Sequence, residues 1–236
     1  LLVTAACKGD RNHEDAETIL YGVTVAEERA DALLHFSDTT KSFAIGTSDV
    51  VSVEKTEKIE DDNGTITYSM DAAESAPETA GLSLDEKTGK ITVADEKKLI
   101  QAAENHDGSL TYTIKEKKTA GIKTAGWNGW EEKSRTVYDK AEASYTLTLK
   151  LDTSLSDTDV TLQDGSGNIL TKPNGDNGWY NTEVVVKPAS GYQIAKDDFD
   201  FQNQVSFGAD EKDQGNDLSY GIYLKNAATG AVSRRI

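Results

Sequence analysis

The chain has few of the residues that staple, kink or anchor a fold. Cys7 is its only cysteine, so no intrachain disulfide can form and the structure must be held by its core. A length of 236 residues is enough to build such a core, in one large domain or two of ordinary size. No run approaches the roughly 18 to 20 apolar residues of a membrane-spanning helix. The sequence opens without a basic region followed by an apolar core, so no complete signal peptide is expected within it. Basic residues are scarce, with 25 Lys and Arg against 41 Asp and Glu and a net charge of −16. That balance argues against a nucleic-acid partner, whose phosphates need a basic face, and against an anionic membrane surface. Residues 1–152 carry 29 acidic and 18 basic side chains (net −11), and residues 153–236 carry 12 and 7 (net −5). The acidity is therefore spread along the chain and is no acidic tail.

Catalytic signatures are missing too. The three histidines, His13, His35 and His106, sit in settings that match no motif, and nucleophilic catalysis needs an activated Ser or Cys beside a base. No glycine-rich phosphate loop and no zinc-type Cys/His spacing occurs. Paired carboxylates occur in any acidic protein and identify nothing by themselves. The expectation is a non-enzyme with no catalytic residues.

What is present is alternation. Leu82-Ser83-Leu84 and Ile91-Thr92-Val93 alternate apolar and polar residues, the period of half-buried strands. The intervening Asp85-Glu86-Lys87-Thr88-Gly89-Lys90 is a polar loop with Gly89 placed to close a hairpin through positive φ. Similar runs lie at Ile19–Val25, Val50–Val53, Ile66–Met70, Leu110–Ile114, Tyr145–Leu149, Val184–Val186 and Tyr220–Leu224. One segment reads as helix: Asp95 caps the run Glu96 to Glu104, with Leu99, Ile100 and Ala103 on one side and Gly108 just beyond. Many short strands, three prolines and one short helix predict an all-β protein of tandem sandwiches. Residues 1–30 read as the closing hairpin of a preceding, truncated domain, because their strands resemble the later pair at Leu110 and Ala141–Leu149. A second domain spans 31–153. After the polar stretch Leu151 to Asp157, a third spans 154–236.

The strands at Ile66-Thr67-Tyr68-Ser69-Met70, the Leu82–Val93 hairpin with its Thr88-Gly89-Lys90-Ile91 turn, Leu110-Thr111-Tyr112 and Tyr145-Thr146-Leu147 together resemble a cadherin-like domain. Residues 160–236 resemble an Ig-like repeat of bacterial surface proteins, with an Asn-Gly-Trp-Tyr turn before Val184–Val186 and a Tyr-Leu-Lys-Asn hairpin closed by Thr229-Gly230. Such tandem modules occur in surface-anchored proteins of Gram-positive gut bacteria. The resemblance thus implies a secreted or wall-attached location, neighbouring domains of the same chain as partners, and a stalk, spacer or adhesive role. Cadherin-like domains often bind Ca²⁺ at their junctions through oxygen ligands. Here Leu151–Asp157 lacks the paired Asp and Asn ligands, and Asp95-Glu96 is explained by helix capping. No resident cofactor or metal is expected, with junctional Ca²⁺ as the one exception to test. Asp164-Gly165-Ser166-Gly167-Asn168 starts like a Ca²⁺ loop, but Ile169 stands where Gly is needed, so it reads as a hairpin turn.

Three features remain as candidate sites. Trp127-Asn128-Gly129-Trp130, between two predicted strands, could stack on a sugar or anchor a host protein. Its bland counterpart is a pair of rings capping the sandwich core, as also read for Trp179-Tyr180. Leu1 to Cys7 resembles the end of a lipoprotein signal, which would make Cys7 a lipidation site. Lys150, Lys187 and Asn203 supply residue types for a Lys–Asn crosslink. The function expected is a non-enzymatic extracellular spacer. Two alternatives stand beside it: a glycan- or host-protein-binding module using Trp127, Asn128 and Trp130, and accessory domains of a secreted glycoside hydrolase.

Overall fold

The structure is a computed structural model that describes residues 2–6, 20–24, 26–30, 36, 40–53, 64–127, 132–138, 140–173, 175, 178, 180–208 and 220–236. Sixteen strands, one α-helix and one 3-10 turn are found among them. The all-β expectation holds: the strands form several small sheets, and the helix is an insertion between strands. No helix among the described residues is long and apolar enough to cross a membrane. The chain divides into two compact units.

The first unit comprises Leu1–Ser37, Glu54–Tyr68 and Lys115–Ser144. Its strands β1 (Leu2–Ala6) and β2 (Leu20–Thr24) pair antiparallel from Leu2 opposite Thr24 to Ala6 opposite Leu20. That is the expected hairpin. The next strand, β3 (Ala26–Ala30), does not belong to it. It lies parallel to β10 (Glu132–Tyr138), which in turn pairs antiparallel with β9 (Gly121–Trp127). In the same unit Glu116 is fully buried. Its carboxylate accepts from the Tyr68 hydroxyl at 3.2 Å and from the Phe36 backbone N–H at 3.2 Å, while the Phe36 and Tyr68 rings meet at 5.7 Å. Burial, with the neighbouring Glu116 carboxylate, pushes the Tyr68 hydroxyl well above its ordinary range.

The second unit comprises Asp38–Val53, Ser69–Ile114 and Tyr145–Ile236. Most residues of a four-stranded sheet belong to it, and that sheet runs in the order β4 (Thr40–Ala44), β11 (Ala141–Lys150), β8 (Ser109–Lys118), β5 (Ile66–Ala72), with β4 and β11 parallel. Strict alternation on β8 turns Leu110, Tyr112 and Ile114 inward, and β11 turns in Tyr145, Leu147 and Leu149. Each Leu or Ile so buried contributes about 1.5 to 3 kcal/mol. β6 (Leu82–Leu84) and β7 (Ile91–Val93) make the predicted hairpin, with Gly89 at φ 69°. They pair with each other and, through Val50 opposite Thr92, with the segment before them. They form a two-stranded sheet of their own, separate from the four-stranded sheet. Val50–Val53 holds to β7 through this bridge, the Val51 N–H to Ile91 C=O bond at 3.1 Å and the Ser52 hydroxyl, but forms no strand of its own. Helix α1 (Glu96–Glu104) has the predicted bounds: the Asp95 carboxylate accepts from Lys98 N–H at 3.2 Å and caps it.

Residues 154–236 lie in the same unit. A 3-10 turn at Asp157–Asp159, closed by a reciprocal Ser156–Asp159 capping box, leads into β12 (Val160–Asp164). β12 pairs with β13 (Val184–Pro188), and β13 with β15 (Val205–Phe207); β14 (Tyr192–Ala195) pairs with β16 (Tyr223–Asn226). The two sheets enclose one core built on Val186, Ile194, Val205, Ile222 and Leu224. β16 begins later than the alternation at Tyr220 suggests, and Tyr220 is 42% exposed. The residues on both sides of positions 153 and 154 belong to this second unit.

Candidate functional site

Main-chain bonds and ion pairs gather around residues 151–154 and 231–236. The frame is main chain. Residues Ala231–Ile236 run antiparallel to β16, with Ser233 N–H donating to Leu224 C=O at 2.8 Å and Ile222 and Ile236 exchanging bonds at 3.1 and 2.9 Å. The same segment runs parallel to the exit of β11: Asp152 N–H donates to Val232 C=O at 2.7 Å and Arg234 N–H to Asp152 C=O at 3.0 Å. Val232 N–H reaches Ile45 C=O at 3.0 Å. One short segment thus completes a ladder on both sides. Ser233, fully buried, donates its hydroxyl to Arg234 C=O and accepts from Leu224 N–H.

Two glycines set how closely the parts approach. Gly46 (φ 89°) and Gly230 (φ 82°) meet back to back: a Cβ on Gly46 would lie 2.2 Å from Gly230 O, and one on Gly230 would lie 2.1 Å from Gly46 O. Only glycine tolerates both the left-handed φ and that contact. Gly230 closes the turn in which Asn226 Oδ1 accepts from Ala228 and Thr229 N–H, the hairpin predicted from Thr229-Gly230.

Cations of the protein fill the space between acidic groups. Lys225 Nζ bonds both carboxylate oxygens of Glu96, at 2.9 and 2.8 Å, and lies 5.3 Å from the centre of the Phe201 ring. Glu96 is the first residue of α1, where a carboxylate also favours the helix dipole. Arg234 pairs with Asp107 at 2.9 Å, and Arg235 with Asp197 at 3.4 Å, while Arg235 N–H donates to Glu104 Oε1 at 2.7 Å. Arg235 lies across Gly221, where a Cβ would be 1.8 Å from its Nε. Burial, with Glu104 and Asp197 nearby, pushes the Tyr223 hydroxyl up to about 12.

The other sequence-predicted positions are dispersed. Trp127 ends β9, its backbone opposite Glu132 of β10; Asn128, Gly129 and Trp130 lie outside the described residues, as do Cys7, His13, His35 and Trp179. His106 lies in the turn leaving α1, its N–H bonded to Ala103 C=O. Asp164 accepts from Ser166 N–H and from both Asn168 N–H groups at 2.8–2.9 Å. The Asn168 side-chain bond is foremost in holding its carboxyl below the usual range, so Asp164 closes a turn as predicted. Lys150 on β11 is exposed beside Ala44, Lys187 on β13 faces Thr161, and Asn203 is exposed in the loop before β15. They do not form a crosslinking set. No group of three or more His, Cys, Asp or Glu that could hold a metal occurs among the described residues.

Sequence reasoning missed Glu116, Lys118, the contact of Gly46 with Gly230 and the partnership of Glu96 with Lys225. Glu116 and Lys118 share the phase of Leu110, Tyr112 and Ile114 on β8, and that continuity was the available signal. No protein-family model and no curated protein matches the chain.

Proposed function

We propose that this chain is a non-enzymatic spacer, displayed outside a Gram-positive cell within a larger surface protein. In this reading residues 31–153 form a cadherin-like sandwich and 154–236 a bacterial Ig-like sandwich. The junction carries the reading. Modules joined by a few linker residues hinge freely unless their interface is extensive. Here the backbone ladder through Asp152, Val232 and Arg234, the paired glycines and the Lys225–Glu96 bridge favour a fixed angle. A fixed angle is what a spacer needs in order to hold another domain at a set position. The parallel pairing of β4 with β11, first strand with last, supports closure of the first sandwich.

The test is to place the chain between a wall anchor and an epitope tag on Gram-positive cells and measure antibody access. Access should rise over a direct fusion of tag to anchor; equal access contradicts a spacer. A second reading rests on the β9–β10 ladder. With Trp127 opposite Glu132, Asn128–Glu131 is the connection at the end of a hairpin, where an adhesive loop would sit. Glycan or host-protein binding that disappears in the Trp127→Ala/Trp130→Ala double variant supports adhesion, and unchanged binding removes that loop.

A further inference from the structure

From Lys196 to Phe207 polar and apolar residues alternate, broken in the apolar phase by the exposed Asp197 and Asn203. Phe199, Phe201, Val205 and Phe207 turn inward. The Phe199 ring meets Tyr223 at 4.7 Å, Phe201 lies beneath Lys225, Val205 is in the core, and Phe207 packs against it. The alternate residues Lys196, Asp198, Asp200, Gln202, Gln204 and Ser206 are polar without exception, and together with Val205 they line one open cavity of about 400 Å³. The stripe is concave because the chain changes sheets here. Ile194 pairs with Gln202 beside β14, Phe199 turns at φ 55°, and Val205 joins β13.

The lining is rich in unspent hydrogen-bonding capacity. Gln202 Nε2 donates to Asp200 Oδ2 at 3.0 Å, and Asp198 Oδ1 accepts from Asp200 N–H at 3.2 Å. Among the described residues the side chains of Gln204 and Ser206 make no hydrogen bond. Lys196 lies over the Phe207 ring at 4.5 Å, and the Tyr220 ring, tilted by 35° to Phe207 with the centres 4.7 Å apart, remains 42% exposed. An aromatic surface therefore adjoins the Lys196 end of the stripe.

We propose that this groove is a binding site for a neutral oligosaccharide. Carboxylate and carboxamide planes present paired donors and acceptors at the spacing of vicinal hydroxyls, and an adjacent ring offers a face for the apolar side of a pyranose. The volume falls in the range of small-ligand sites, about 300 to 1,000 Å³. Two carboxylates against one ammonium disfavour an anionic sugar. The lining holds two carboxylates, and no group of three or more His, Cys, Asp or Glu that could hold a metal occurs among the described residues. The site goes beyond the spacer reading and stands whether or not that reading does.

The test is an NMR titration of the whole chain with cellotetraose, chitotetraose and laminaritetraose, and separately with CaCl₂. At least one sugar should give saturable shifts centred on residues 196–206, with a Kd on the order of 0.1 to 1 mM for so open a groove. Gln202→Ala/Gln204→Ala, both exposed positions, should weaken it by about tenfold or more while the rest of the spectrum stays unchanged. Four outcomes overturn the proposal: no shift from any of the sugars, shifts that survive the double variant, shifts centred on Trp127–Trp130 instead, or a response to CaCl₂ alone.

Discussion

Tyr112 carries the one buried side-chain polar atom without a hydrogen-bond partner among the described residues. Burial, with Glu74 nearby, pushes its hydroxyl up to about 12. An unsatisfied buried hydroxyl costs about 1 to 3 kcal/mol, so Tyr112→Phe should leave stability unchanged or raise it by about 1 kcal/mol. A urea midpoint that falls instead would show a partner for that oxygen. The raised values also fix a pH dependence. Stability linked to the protonated Tyr112 and Tyr223 hydroxyls is complete below pH 10, their ordinary value, and is lost as the pH rises toward about 12. In that window the unfolded chain releases protons that the folded chain keeps. Urea unfolding between pH 9 and 12 should show the decline, and Tyr112→Phe should flatten it. The glycines allow an internal comparison. Gly167→Ala, at φ 88° in open space, should cost about 1 to 2 kcal/mol for its backbone alone. Gly230→Ala adds a Cβ 2.1 Å from Gly46 O and should cost about 3 kcal/mol or more. Equal losses in thermal melts would mean that the close approach contributes nothing.

At the scale of the element, the sequence is legible wherever local chemistry decides the structure. Asp95 and the spacing of Leu99, Ile100 and Ala103 defined α1, and removing the cap by Asp95→Ala should lower stability by about 1 kcal/mol in chemical denaturation. The Leu82–Val93 hairpin was equally legible. Alternation supplies its strands, Gly89 its positive φ, and Asp85 Oδ1 accepts from Lys87 and Thr88 N–H at 2.9 and 3.1 Å. Those backbone bonds, Lys87 first, hold the Asp85 carboxyl below its usual range. Strand β8 was legible only in part. Its inward stripe continues from Ile114 to Glu116 and Lys118, which are 0% and 3% exposed, and charged residues there end an apolar pattern although the strand continues. The parallel pairing of β3 with β10 had no local signal, because register between distant segments is set by tertiary packing. The junction was hidden for the same reason: Lys225 and Glu96 are 129 residues apart.

At the scale of the molecule, a single cysteine leaves packing and main-chain ladders to hold the fold. The Lys225–Glu96 bridge is only part-exposed, so its coupling should exceed that of a freely solvated pair. A double-mutant cycle with Glu96→Gln and Lys225→Met should give about 0.5 to 1 kcal/mol. Lys225, Arg234 and Arg235 pair with Glu96, Asp107 and Asp197, so Ca²⁺ should leave their arrangement unchanged. The central claim is that residues 154–236 sit at a fixed angle on the segment containing α1 and the β6–β7 hairpin. It is tested most directly by the distance between spin labels at Lys87 and Ser166, both exposed turn residues, in a Cys7→Ser background. Pulsed electron–electron resonance should give a single narrow distance distribution, the same with Ca²⁺ and with chelator. A broad distribution, or one that narrows only when Ca²⁺ is added, would contradict the account.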